Sequence, residues 1–419
     1  MAKMLRYIRG FGLVAVSVVL IAALLLGSVV PAKAAEEKVV KIGIHTALTG
    51  PLATTVVPAH YGIADYIKYV NEQGGIHGAK LQLEWENTGA NITRCIIGHK
   101  RFSQAGVVFE MHSHPGGAEL LAPRYQKEEI PGLFLATMTR EMITYPERWV
   151  FAFLPGSGPE MVTFMKWVKD NWIEARPPRI ALIGFDVSIA WEASEFGAEW
   201  APKFGIEWTG CEIVPLVGCI DTSTEWLRLA NKKPGWVFAY ASMQVLVVIM
   251  KDAKRLEIQE RGIKLCSHAA GIDEILVRAV GVDASEGWFA SRPHPSPVET
   301  DVPGVSLARD IIKKYRGLEE ASSHYMGACA ICSTIFEAIR LAIEKVGYQN
   351  LNGRAVRDAM VTIKDFIPFG QISPPVTITE ERPYVVRDNK YYQIRDGKIW
   401  PYTDWIPYAY HYAELTKGR

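Results

Sequence analysis

His112 and His114 form an H-x-H pair, and two histidines two apart at a strand end can point the same way toward a metal ion. A stable site needs three or four ligands. No third is identifiable by spacing, so neither a metal nor a cofactor is expected; lining of a cleft by His114 and plain structural polarity are the competing readings. Cys329 and Cys332 have C-x-x-C spacing, the pattern of a redox pair. However, the segment runs on into Phe336, Ile339 and Ile343 with helical spacing and lacks the strand and turn such a motif needs, so buried apolar cysteines are the better reading. Cys211 and Cys219 flank a short apolar segment containing Pro215 and are the pair an oxidising compartment could bridge. Asn91-Ile92-Thr93 fits a glycosylation sequon, although Asn91 reads better as a helix cap. Asp186 and Glu192 make no convincing acid–base pair, and neither a nucleophile elbow nor a phosphate loop occurs. The chain is not expected to be an enzyme.

The N-terminus narrows the setting. Lys3, Arg6 and Arg9 precede an unbroken apolar stretch from Phe11 to Leu26; Gly27, Ser28 and Pro31 break it, and Ala32-Lys33-Ala34 offers small residues to a signal peptidase. This order reads as a secretory signal over residues 1–34, cleaved after Ala34. The competing reading is an uncleaved anchor, since Phe11–Val30 could just span a bilayer, but the helix breakers sit where cleavage needs an extended chain. No other segment stays apolar long enough to span, so no stable membrane insertion is expected after cleavage, and the periplasm is the expected location. With 46 basic against 45 acidic residues, no basic face is available for nucleic acid.

The elements that must position any site alternate. Val39–His45 reads as a buried strand, Tyr61–Glu72 as a helix stopped at Gly74-Gly75, and Leu81–Glu86 as a strand. A helix from Asn91 to Gln104, a strand at Val107–Met111, a helix at Glu119–Glu129 and a strand at Leu133–Ala136 follow. Phe151–Pro159 interrupts the rhythm like a connection between lobes. Strands are then expected at Ile180–Gly184, Ile206–Val214, Trp236–Ala239 and Ile263–Ser267. The helices between them are Glu160–Trp172, Ala190–Phe204, Thr222–Ala230 and Met243–Leu256. Pro293–Pro297 interrupts again, before helices at Val305–Tyr315, Tyr325–Val346 and Arg354–Ile363. The tail reads as strands Tyr384–Val386 and Tyr391–Ile394 around a turn at Asp388-Asn389. This β-α-β rhythm predicts an α/β fold of parallel sheets with helices on both faces.

Three segments carry a resemblance: Lys41-Ile42-Gly43-Ile44, Leu48-Thr49-Gly50-Pro51, and Val70-Asn71-Glu72-Gln73-Gly74-Gly75-Ile76-His77-Gly78. Together they resemble the type I periplasmic binding proteins, in particular the branched-chain amino-acid (Leu/Ile/Val-binding) branch that feeds ABC transporters. Tyr125–Pro131, Arg179–Ile183 and Ser285–Trp288 support it in the same order along the mature chain. The resemblance implies two Rossmann-like lobes, each a parallel sheet flanked by helices and joined by a multi-strand hinge. The expected division is 36–155 with 291–366, and 156–290 with 367–419. It also implies a small-molecule ligand held in the cleft and delivered to an ABC transporter permease. Use as a ligand-sensing periplasmic receptor, or as a branched-chain amino-acid binder, are the alternatives.

By position, the resemblance assigns the ligand contacts. His114, Pro115 and Gly116 stand where the family holds a ligand carboxylate with a small hydroxyl and backbone amides, and Thr137, Met138 and Thr139 match a second carboxylate-gripping segment. Trp191 and Tyr240 correspond to aromatic contacts, with Ser242 beside the latter, and His268 to the loop that carries the ammonium partner. There the chain departs from the pattern: no acidic residue occurs from Leu265 to Gly271. The nearest, Asp273 and Glu274, belong to the start of the next helix. An α-ammonium buried without a counter-charge would cost several kcal/mol. The expected ligand is therefore a small, largely apolar or aromatic molecule bearing a carboxylate or amide.

Overall fold

Val40, Ile42 and Ile44 alternate with Lys41, Gly43 and His45, and that period of two makes Val39–Thr46 (β1) a strand with two different faces. In the computed structural model, which describes residues 37–143 and 148–410, it is followed by α1 (Ala53–Glu72), β2 (Lys80–Asn87), α2 (Ile92–Ala105), β3 (Phe109–His112), α3 (Pro115–Glu128), β4 (Gly132–Thr137) and β5 (Val150–Leu154). The signal expected over residues 1–34 lies outside the described residues. These five strands form one parallel sheet in the order β2-β1-β3-β4-β5. Asn91 caps α2 by accepting from the Thr93 amide at 2.9 Å, as its position before the apolar run implied.

The rhythm then restarts with α4 (Ser157–Asp170), β6 (Arg179–Phe185), α5 (Ser188–Trp200), β7 (Glu207–Val214), α6 (Ser223–Asn231), β8 (Trp236–Tyr240), α7 (Met243–Arg255), β9 (Lys264–Ser267), α8 (Glu274–Val280), α9 (Val282–Ser285) and β10 (Phe289–Arg292). Helices α10 (Pro303–Arg316), α11 (Ser323–Val346) and α12 (Gly353–Met360) follow, and then β11 (Asp388–Arg395) and β12 (Lys398–Pro401). The second sheet runs β12-β11-β10-β9-β8-β6-β7, with β11 antiparallel to both of its neighbours. The result is two α/β lobes, each built on one sheet. Ile63 and Ile67 of α1, Ile331 and Ile335 of α11 and Met360 of α12 cover the β1 face that carries Ile42 and Ile44. A second core joins α3, β4 and the second sheet without a break, from Leu121 and Phe134 to Ile183 and Phe238.

Several expectations need correction. Phe151–Leu154 is not a connection: β5 pairs along β4 and every residue in it is buried. Helix α1 starts at Ala53, so Pro58 lies inside it; Pro58 lacks the N–H that would bond residue 54, and α1 tolerates that loss near its start. Asp388 and Asn389 are not a turn but the first residues of β11, and the chain reverses instead at Asp396-Gly397. Residues 384–386 pair with β5, the amides of Val385 and Val386 donating to the carbonyls of Ala152 and Phe153. Cys211 lies within β7 and Cys219 beyond its end, and both are unbridged, as are the other four cysteines. Helix α11 is long and apolar enough to cross a membrane, with a mean hydropathy of 1.6 over its best window, contrary to expectation; 78% of that window is buried inside the protein, so it is a core helix. Cys329 and Cys332 lie in it fully buried.

Helix α11 packs on α1 at van der Waals limit. A Cβ on Gly62 would lie 2.4 Å from the carbonyl oxygen of Tyr325. Gly62→Ala should therefore cost about 1–3 kcal/mol by overpacking, even though alanine is the better helix former. A fall in the urea midpoint at constant slope is the expected reading; an unchanged midpoint would show that the two helices part freely.

Candidate functional site

In parallel sheets the loops after the strands gather at one edge, where ligands bind in α/β proteins. Here the loops after β1, β3 and β4 face those after β6, β8 and β9 across a cavity of about 70 Å³. Its apolar wall comes from Leu52, Val56, Pro115 and Phe134 on one side and Phe185, Val187 and Ile189 on the other. Thr55, Ser113, His114, Thr137, Ser242 and His268 add the polar points. A second cavity of about 40 Å³ lies behind it, lined by Leu135, Phe153, His294, His324 and Ile331 among others. The two share Ala136 and Ala270. Neither lining includes an aspartate or a glutamate.

The polar groups are neutral. Ser113 Oγ, Ser242 Oγ and His268 Nδ1 are buried with no hydrogen-bond partner. An unmet buried polar group costs about 1–3 kcal/mol, which a bound ligand can recover. Burial pushes the His268 imidazole down to about 3, so it is uncharged; the ring stacks on Tyr240 with centroids 4.1 Å apart. His114 caps α3, its Nδ1 accepting from the Gly117 amide at 3.3 Å, and burial lowers its pKa too. His112 and His114 do not converge. His112 turns into the layer between sheet and helices and stacks on His45, with ring centroids 4.0 Å apart, whereas His114 lines the cavity.

Behind His268 and Tyr240 lies Glu160, in the first turn of α4. Its Oε1 accepts from the Ala269 amide at 2.6 Å, and Ser291 Oγ lies 3.2 Å away. The Tyr240 hydroxyl lies 3.2 Å from Glu160 Oε2 and 3.1 Å from Thr137 Oγ1. That chain of polar atoms runs from the second sheet to the end of β4 in the first. Burial raises the Glu160 carboxyl to about 7 in spite of those hydrogen bonds.

Of the residues assigned from sequence, His114, Pro115, Thr137, Ser242 and His268 meet at the larger cavity. Tyr240 stands directly behind it, fully buried. The other four do not line it. Gly116 is in the first turn of α3, and Met138 is wholly enclosed in the core. The Thr139 hydroxyl donates to Glu119 at 2.8 Å, as does Ser188 of α5 at 3.0 Å, a bridge between the lobes. Trp191 is 48% exposed on α5 and its indole donates to Asp186 at 2.8 Å. Sequence reasoning missed Leu52, Thr55 and Val56, which follow the Leu48–Pro51 loop it had noted, and Phe134, Phe185, Val187 and Ile189, which read as strand or loop apolars. It also missed Glu160, whose place directly after Pro155–Pro159 looked like nothing more than a helix start.

Comparison with known proteins places this geometry. The sequence family described as periplasmic binding protein matches residues 39–398. A branched chain amino acid ABC transporter from Thermus thermophilus with bound valine is similar in structure, with a TM-score of 0.79, 19% identity and 89% of this chain covering 97% of that one. A fatty acid ABC transporter substrate-binding protein from Thermomonospora curvata gives 0.74 at 16% identity, covering 88% of this chain and 92% of that one. A solute binding protein of an ABC transporter from Rhodopseudomonas palustris BisB5, in complex with 3,4-dihydroxy benzoic acid, gives 0.74 at 18% identity, covering 90% and 99%. At such identities the likeness is one of fold. No curated protein matches the sequence.

Proposed function

The chain belongs to the periplasmic binding protein family, and from that premise we propose that it is the substrate-binding protein of an ABC importer. Membership of the family implies a working place outside the cytoplasm. We read residues 1–34 as the signal that takes it there, cleaved after Ala34, and a permease as the partner to which it delivers its ligand. Binding and release of that kind require a cleft and a hinge, and no reacting group.

The ligand we propose is a small, largely apolar or aromatic molecule with a carboxylate or amide, and not a free α-amino acid. One observation carries this reading. The cavity between the lobes has apolar walls, three unpartnered neutral polar atoms, and no carboxylate in its lining. A carboxylate or carbonyl would be met by Ser113, Ser242 and the Thr137 hydroxyl; an ammonium group would meet no counter-charge and would be costly to bury.

The closed cleft is tight. A cavity of about 150 Å³ holds benzene, whereas the larger compartment here is about 70 Å³. A ring would have to extend past Ala136 and Ala270 into the second compartment, with the lobes parting slightly. Chain crossings at 155–156, near 293 and near 387 would serve as the hinge. The last is placed near 387 because Val376, Ile378, Val385 and Val386 pack in the first lobe's core.

A thermal-shift panel tests the ligand class. An aromatic or aliphatic acid at 100 times its Kd should stabilise by about 2.7 kcal/mol, a rise in Tm of roughly 3 °C for a chain of this size. Leucine, isoleucine and valine should give none. Stabilisation by those three and by no acid would overturn the reading.

A further inference from the structure

Beneath the ligand cavity, in the layer between the first sheet and helices α2 and α3, lies a cluster the binding function does not use. Strand period and register create it. Residues two apart on a strand share a face, so Glu110 and His112 both project from β3 away from Phe109 and Met111, which enter the first lobe's other core. In the parallel pairing of β1 with β3, His45 stands opposite His112, and Gly43 stands opposite Glu110. His45, Glu110 and His112 are all buried, at 1%, 0% and 1% exposure. One donor atom from each lies within 4.8 Å of the others.

We propose that His45, Glu110 and His112 bind a divalent transition-metal ion of the zinc class, as a closed structural site inside the first lobe. The donor set is two imidazoles and a carboxylate, which suits zinc, copper, iron or nickel ahead of magnesium or calcium. Each neutral imidazole has one nitrogen lone pair to give, and His45 Nδ1 and both ring nitrogens of His112 are buried with no hydrogen-bond partner. A protein does not ordinarily leave three such atoms unmet in one place. His45 Nε2 and His99 Nδ1 each lie 2.8 Å from an oxygen of the Glu110 carboxylate. Its negative charge is what a buried dication requires.

The surroundings are those of a metal site. His99 Nδ1 occupies Glu110 Oε1, leaving Oε2 turned toward His45, which is how an outer residue fixes the orientation of a ligating carboxylate. Cys95 lies outside this three-residue cluster but near it: a Cβ on Gly117 would lie 2.7 Å from Cys95 Sγ and 3.2 Å from His112 Nδ1. Metal–nitrogen bonds of 2.0–2.1 Å put tetrahedral donors about 3.3 Å apart. Closing the cluster to that spacing takes movement on the order of 1 Å and an opening of the His45–His112 stack. Held by residues of both strands, the ion ties β1 to β3 directly below the loop that carries His114 into the cavity.

The test uses the untagged full chain, stripped with chelator and titrated with zinc. One equivalent of zinc should bind and raise Tm. His112→Gln should lose that equivalent, and His99→Gln, which acts through Glu110 as a positioning residue, should weaken zinc binding about 10–100-fold. His77→Gln, at an exposed histidine paired with Glu344, should leave it unchanged. Cobalt(II) on the wild-type chain should give the strong visible bands of a four-coordinate ion, a reading that does not depend on any variant folding. A wild-type chain that takes up no equivalent, a His112→Gln chain that retains it, or cobalt spectra of the free aqueous ion would each overturn the proposal.

Discussion

Replacing Arg292 by leucine should cost about 3–5 kcal/mol, the range for removing one partner of a buried ion pair. Arg292 ends β10 wholly buried, its Nη1 donating to Glu274 Oε1 at 2.9 Å and its guanidinium lying over the Tyr392 ring. The other oxygen of Glu274 accepts from the amide and hydroxyl of Ser323 at 2.8 and 2.7 Å. Without Arg292, that carboxylate would be left buried and charged with no cation. The double variant Glu274→Gln/Arg292→Met should recover much of the loss, because no lone charge remains. Urea unfolding of the two variants decides the matter: a single-variant loss below about 1 kcal/mol would mean that solvent reaches Glu274.

The pair matters for more than stability. Asp273 caps α8 and accepts from the His324 amide at 3.1 Å and its Nδ1 at 2.8 Å, so two successive carboxylates from the second lobe hold the start of α11 in the first. Anions are favoured at a helix N-terminus, where amides lack partners and the dipole is positive. This contact flanks the smaller cavity, which Ser323 and His324 help to line. The residues the sequence offered as a misplaced ammonium partner, Asp273 and Glu274, are thus committed to joining the lobes.

What was legible in the sequence was what repeats locally. The alternation in β1 and the apolar faces of α1 and α11 each have a period that survives without tertiary context. The sequence did not show what only tertiary pairing decides. Strand β5 was obscured because its five apolar residues run into Pro155 and Gly156, and period alone cannot separate a buried strand from a connection. Asn389 reads as a turn residue, yet it sits buried in β11, accepting from Ser291 at 2.9 Å, a partner 98 residues earlier in the chain. Glu160 reaches the loop at Ala269 across 109 residues. The cluster of His45, Glu110 and His112 was out of reach for the same reason. The H-x-H spacing was visible, but the pairing of β1 with β3 that brings His45 beside His112 was not. Trp191 and Met138 were assigned from loop position; helix phase turned Trp191 to solvent, and Met138, in the loop after β4, is enclosed in the core.

Glu160→Gln should make the protein more stable than wild type at pH 8 and nearly equal to it at pH 5. The Glu160 carboxyl is raised from 4.5 to about 7 by burial, so the folded chain holds its proton more tightly than the unfolded one. The stabilisation due to the protonated form is complete below pH 4.5 and is lost as pH rises through about 7. At about 1.4 kcal/mol per pH unit, the loss across that window is about 3 kcal/mol. His268, kept neutral by burial, runs the other way below pH 6.5, so the whole-protein curve mixes the two and the difference between variant and wild type isolates Glu160. Proton counting extends the effect to the ligand. The single Tyr240 proton faces two oxygens; when Glu160 is protonated it donates to Tyr240, Tyr240 donates to Thr137, and the Thr137 proton is left for an acceptor in the cavity. Ionised Glu160 draws the Tyr240 proton back and weakens that arrangement. Affinity for a carboxylate-bearing ligand should therefore fall about tenfold between pH 6 and pH 8 in the wild type, the equivalent of one hydrogen bond to a charged group, and stay level in Glu160→Gln, whose amide donates at every pH. Calorimetric titration at the two pH values measures it. Equal pH dependence in both proteins would show that Glu160 does not reach the ligand through Tyr240 and Thr137.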